Sequence, residues 1–148
     1  MENIIVETLK NIFGFLQIDP DTEIENPEEG VFVVKIVGDD LNYLIGFRGQ
    51  SLNALQNILR LIIFNKTGEQ PTLSVDINGY RERKAEKIKD LARNFIDKVR
   101  FFEKDVELPR MNPWERRLVH MLVTDYDDIL SESTGEGRDR RVVLKRKK

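Results

Sequence analysis

The single histidine of the chain, His120, lies four residues after Arg116. On a helix that spacing puts the two side chains about one turn apart on one face, where a guanidinium and an imidazole can share an anion. A second group, Gly46-Phe47-Arg48-Gly49, sets two glycines around an arginine. Glycine lets a backbone approach a sugar-phosphate chain without Cβ contacts, and a helix starting behind it turns unpaired N–H groups and a positive dipole end toward phosphate. The same quartet also suits a plain helix–helix corner. A third group, Asp125, Asp127 and Asp128, has the donor type that holds Mg²⁺ and activates water in a nuclease, although such carboxylates also cap helices and solvate turns. The chain has no cysteine. This excludes disulfides, thiolate metal centres and cysteine nucleophiles, and a lone histidine excludes a multi-histidine zinc site. No catalytic residue, metal ligand or cofactor is therefore assigned.

The surrounding sequence supplies elements to position these groups. The length of 148 residues with 40% hydrophobic and 34% charged residues fits one ordinary domain or two small ones with a real core. Ile5, Leu9, Ile12, Phe13 and Leu16 make a helical stripe over residues 2–16, closed by Asp19-Pro20. A short strand at Thr22–Glu25, a turn at Asn26–Gly30 and a β-branched strand at Val31–Val37 predict a hairpin. A short helix at Leu41–Ile45 breaks at Gly46, and Leu52, Leu55, Leu59 and Ile62, with Ile58 and Ile63 beside them, predict an amphipathic helix over Ser51–Asn65. Leu73, Val75 and Ile77 alternate with polar residues as a half-buried strand.

From Arg81 the period is helical to Phe102, with Ile88, Leu91, Phe95, Val99 and Phe102 expected inward and Arg81, Arg83, Lys84 and Lys87 outward. Val106–Leu108 reads as a short strand. Asn112-Pro113-Trp114-Glu115 is a complete helix start, with an N-cap asparagine, an N1 proline and an N3 glutamate. At roughly 100° per residue, Trp114, Leu118, Met121 and Leu122 form the expected core stripe, and Arg116 and His120 fall on the opposite, solvent side, with Arg117 between. That helix is expected to run to Tyr126. Ile129–Ser133 and Arg141–Leu144 read as a closing antiparallel pair around Gly135–Gly137. The element order is α-β-β-α-α-β followed by α-β-α-β-β, an α+β chain with its seam near residue 80.

Charge is unevenly spread beneath a net of −2. Residues 1–45 carry −8, 46–100 carry +5, 101–137 carry −5 and 138–148 carry +6. Screening acts over about 8 Å in physiological salt, so such blocks act locally whatever the total. No apolar run exceeds four residues, which excludes a membrane-spanning helix. The N-terminus has no basic stretch followed by an apolar core, so no signal peptide is expected and the cytoplasm is the expected compartment.

The first half, about residues 1–80, resembles a type II KH domain, a single-stranded RNA-binding module whose Gly-x-x-Gly loop clamps about four nucleotides by the backbone. The resemblance implies an RNA clamp at Gly46, Phe47, Arg48 and Gly49. Phe47 stands where the family commonly has a basic residue, and it either stacks on a base or packs internally. In residues 81–148, Arg116-Arg117-Leu118-Val119-His120 is similar to the Arg-x3-His signature of the R-3-H domain. It lies between Met111–Glu115 and Ser131–Gly137, with Arg140-Arg141-Val142-Val143 following. That resemblance implies binding of single-stranded nucleic acid by Arg116, Arg117, His120, Arg140 and Arg141. Trp114 replaces a tyrosine common in the family.

The two modules in this order, joined by Val75–Arg83, resemble the bacterial Jag (SpoIIIJ-associated) family, also called KhpB or EloR. Membership implies a non-catalytic RNA-binding regulator tied to cell elongation and division. The partners it implies are single-stranded RNA, or single-stranded DNA, and a small single-KH protein of the KhpA type. Self-association is a further expectation. Many members carry an additional Jag-N segment. This chain opens on the KH helix, so roles tied to that segment lie outside the expectation. The competing expectations are a protein-interaction scaffold built on the KH fold and the metal-dependent nuclease of Asp125, Asp127 and Asp128.

Overall fold

The computed structural model describes residues 1–148, which divide into two compact units, Met1–Arg81 and Glu82–Lys148. The first unit runs α1 (Glu2–Leu16), β1 (Asp21–Glu28), β2 (Val31–Val37), α2 (Asn42–Ile45), α3 (Gln50–Thr67) and β3 (Thr72–Ile77). Its sheet has the order β1-β2-β3, with β1 antiparallel and β3 parallel to β2. Alternate residues of β2 and β3 turn one face inward: Phe32, Val34 and Ile36 with Leu73, Val75 and Ile77. Ile5, Leu9 and Phe13 of α1 and Leu52, Leu55, Leu59 and Ile63 of α3 complete the core. Leu16 and Ile58, expected on the apolar stripes, are exposed. Leu16 is the last residue of α1, which stops at Gln17 in the left-handed conformation, φ 56°.

Strand β3 forms an open sheet edge, and side chains close it. Arg60 donates to the Leu73 carbonyl (2.7 Å), Gln56 Oε1 accepts from the Val75 N–H (2.9 Å), and Arg81 Nε donates to the Val75 carbonyl (3.0 Å). Arg81 is thus half-buried against β3 rather than on an outer helix face. The Asn78 side chain both accepts from the Gly38 N–H and donates to its carbonyl, tying the ends of β2 and β3 together.

The second unit holds most of α4 (Tyr80–Phe102), then β4 (Val106–Glu107), α5 (Pro113–Val123), β5 (Ile129–Thr134) and β6 (Arg141–Arg146). Its sheet is antiparallel with β6 central, in the order β4-β6-β5. The core gathers Ile88, Ala92, Ile96 and Val99 of α4, Val119 and Val123 of α5, and Ile129, Val142 and Leu144 of the sheet. Phe102, expected inward, is exposed, and Phe101 beside it is too.

The stripe on α5 differs from the sequence expectation. Its buried residues are Glu115, Val119 and Val123, while Met121 is 60% exposed and Trp114 37%. The short β-branched valines let the helix lie close to the sheet. Glu115 is buried because its charge is satisfied. One carboxylate oxygen accepts from the Asn112 N–H (2.9 Å), and the other lies 3.3 Å from the Lys84 ammonium. Arg116 and His120 therefore border the buried stripe and face β5, not open solvent. The helix ends at Val123 rather than Tyr126, because the Asp125 and Tyr126 N–H groups bond three residues back, to Leu122 and Val123, and tighten the turn.

Candidate nucleic-acid interface

In the second unit the capping box fixes where α5 starts. Asn112 Oδ1 accepts from the Glu115 N–H (2.9 Å), reciprocating the bond from the Asn112 N–H to the Glu115 side chain. Arg116, one residue on, donates to the Met111 carbonyl (2.7 Å), which pins its guanidinium and leaves its other N–H groups free of protein partners. Arg140 arrives from the turn between β5 and β6. There it donates to the Gly135 carbonyl (3.1 Å), at a glycine with φ 88° where a Cβ would lie 3.1 Å from the Asp139 carbonyl oxygen. Only a residue without Cβ permits that turn, and the turn places Arg140.

Arg116, Arg117, His120 and Arg140, together with Thr124 and Ser133, line an open groove of about 380 Å³ between α5 and the sheet, with Pro113 and Met121 on its apolar side. No acidic residue lines it. Arg141 is not part of it: its guanidinium donates to the Asp139 carbonyl and pairs with Glu107 at 3.6 Å. His120 is held on both sides, Nδ1 2.7 Å from Ser131 Oγ and Nε2 2.7 Å from Ser133 Oγ. Burial first, then the Arg116 and Arg140 guanidinium groups, keep the imidazolium below the ordinary histidine range. The ring is thus biased toward neutrality in the free protein. The two serines have no counterpart among the sequence-derived site residues. Their spacing of two on β5, which puts both on one face of the strand, is the signal that identifies them.

The Gly46–Gly49 loop has a different character. Gly46 (φ 70°, ψ −176°) and Gly49 (φ 76°) both need backbone freedom, and Arg48 itself sits in the left-handed region at φ 53°. A Cβ on Gly46 would run into the Ser51 side chain, and one on Gly49 would lie 3.0 Å from the Tyr80 ring. The chain's own packing thus requires both glycines, before any ligand is considered. The tip is open. Phe47 is 73% exposed, so it is not a packing residue, and the Arg48 guanidinium carbon lies 5.4 Å from its ring centroid. Behind the tip, α3 begins without a side-chain cap.

The three aspartates do not converge. Asp128 binds Arg100 in a two-pronged pair (2.7 Å each), which holds its carboxyl below the usual range, while Asp125 and Asp127 are exposed. No group of three or more acidic or histidine side chains is placed to hold a metal ion. No helix is long and apolar enough to cross a membrane.

Residues 86–146 match the R-3-H domain family, so the second unit and its groove are those of an R-3-H-domain protein. Over its whole length the chain is 32% identical to the RNA-binding protein KhpB of Clostridium symbiosum, covering 67% of that protein. It is 33% identical over 76% of its length to the RNA-binding protein KhpB of Bacillus subtilis (strain 168), covering 55% of it. The chain belongs to the KhpB family, the Jag or EloR family of the sequence resemblance. It spans about two thirds of the first relative and about half of the second.

Proposed function

We propose that this chain is a non-catalytic single-stranded RNA-binding protein acting as a post-transcriptional regulator of bacterial cell elongation and division. Its first unit serves as a KH module and its second as the main anion-binding module. The observation that carries this reading is the acid-free groove in which Arg116, Arg117 and Arg140 surround one opening. Three cations beside the apolar faces of Pro113 and Met121 suit a flexible strand held by phosphate, sugar and base together. The charge balance supports the division of labour. Met1–Arg81 carries 6 basic and 12 acidic residues, whereas Glu82–Lys148 carries 18 and 14.

On this reading the exposed tip of Phe47 and Arg48 adds one stacking face and one cation from the first unit. Joining two weak sites through a short connector raises avidity by roughly 10²–10⁴ when both engage one strand. A protein partner for the first unit, a single-KH protein or a second copy of the chain, is a second reading. It is favoured by the net acidic charge and by the exposed Leu61 and Phe64 on α3. The test is ultraviolet crosslinking in cells, comparing RNA recovered with the wild type, Arg48→Asp and Arg116→Ala. Loss of recovered RNA in both variants supports the reading. Background recovery with the wild type, together with a stable protein partner, favours the scaffold.

A further inference from the structure

The ring of His120 has no nitrogen to spare for a ligand. Each is 2.7 Å from a serine hydroxyl, and both serines come from the same face of β5. The two serines are not equivalent. Ser133 lines the groove with Arg116, Arg117 and Arg140, and Ser131 does not. We propose that the Ser133 hydroxyl is a phosphate-contacting group of this groove, and that His120 is a positioning residue that aims the Ser133 hydrogen at a bound phosphodiester. This assignment rests on reading the groove as an RNA site.

Hydrogen-bond direction distinguishes the two serines. A neutral imidazole donates at one nitrogen and accepts at the other. With the proton on Nε2, that N–H donates to Ser133 Oγ and the Ser131 hydroxyl donates to Nδ1. The Ser133 hydrogen then has no partner on the ring and is free to point into the groove, between the guanidinium groups of Arg116 and Arg140. With the proton on Nδ1, the Ser133 hydroxyl is used up as a donor to Nε2. Its oxygen then shows only lone pairs to the groove, which repel a phosphate oxygen. A bound phosphodiester therefore selects the Nε2–H form, and the hydroxyl-to-phosphate bond it gains is charge-assisted. A fully protonated ring works in the same sense, since both nitrogens donate and both hydroxyls are released. Ser131 sets the tautomer from outside the groove by donating to Nδ1.

The experiment measures affinity for a short mixed-sequence single-stranded RNA by fluorescence anisotropy, with the full chain and the variants Ser133→Ala, Ser133→Thr, Ser131→Ala and Arg116→Ala. Loss of one charge-assisted bond is expected to weaken binding about tenfold in Ser133→Ala. Ser133→Thr keeps the hydroxyl and should stay within about twofold, and Ser131→Ala should lose clearly less than Ser133→Ala. Nitrogen-15 spectra of His120 in the complex should show Nε2 protonated. Equal losses in the two serine-to-alanine variants would mean that both serines only hold the ring, which overturns the inference. So does wild-type affinity in Ser133→Ala. If that affinity persists while Arg116→Ala weakens binding, the RNA groove stands without the serine; if neither variant weakens it, the RNA reading fails as well.

Discussion

A Cβ on Gly46 would lie 2.8 Å from the Cβ of Ser51 and closer still to its hydroxyl oxygen. With φ 70° and ψ −176°, Gly46 also occupies a backbone region that is essentially closed to other residues, at a cost of about 1–3 kcal/mol. Gly46→Ala should therefore lower the stability of the first unit by at least that order, read as a fall in the denaturant midpoint. Trimming Ser51 to glycine in the same chain should recover only the clash, not the backbone cost. RNA effects of glycine-to-aspartate changes in this loop would report folding and binding together. Arg48→Ala and Phe47→Ala, both at exposed positions, isolate binding.

The valines of α5 offer a direct check on which face the helix buries. Val119→Ala removes two fully buried methyl groups and should cost about 2 kcal/mol. Met121→Ala, at a mostly exposed position, should change stability by no more than about 0.5 kcal/mol. Urea denaturation of the two variants separates the observed stripe from the one the apolar pattern suggests.

Glu115 serves two partners, and neither can be replaced by water at no cost. Glu115→Ala breaks its half of the capping box and leaves Lys84, whose side chain is only 25% exposed, without its carboxylate. The expected loss is about 1–3 kcal/mol. Glu115→Gln keeps an acceptor for the Asn112 N–H and should lose less. Thermal and denaturant midpoints of the pair decide this.

The pH response follows from His120. Its folded-state pKa lies below that of the unfolded chain, owing to burial, Arg116 and Arg140 in that order. The unfolded chain therefore takes up the proton first as pH falls. The stabilisation is complete above the ordinary value of about 6.5 and is lost as pH drops toward the folded value. A bound phosphate opposes the two arginines and raises the pKa, so RNA affinity should increase as pH falls through the window between the free and bound values. Anisotropy titrations from about pH 8 down to about pH 5.5 span the ordinary histidine range. They should show the slope in the wild type and none in His120→Ala.

The sequence makes some of these features legible and hides others for physical reasons. Backbone-encoded features are plain: the capping box at Asn112 and Glu115, the glycines at 46 and 49, and the alternation in Leu73, Val75 and Ile77 each depend on neighbours within a few residues. The face of α5 is not plain. Its buried stripe starts with a carboxylate whose partner, Lys84, lies 31 positions earlier. Large apolar side chains at Trp114 and Met121 imitate a core stripe of equal periodicity. For the same reason Arg116 and His120 are readable as a pair but not as the rim of a buried face. The serines that hold the ring come from another element. Arg141 carries the right charge, yet strand alternation and Glu107 take it out of the groove, while Arg140 is brought in by the Gly135 turn.

On the proposed function, the α5 groove holds a polynucleotide by its phosphates. The measurement that meets this claim most directly is the salt dependence of single-stranded RNA affinity for the wild type and for Arg116→Ala combined with Arg140→Ala, with the variant's fold verified by circular dichroism. Loss of two phosphate contacts should weaken binding at least about tenfold at low salt and flatten the logarithmic salt slope by about 1.4. A folded double variant with unchanged affinity and unchanged slope would contradict the claim.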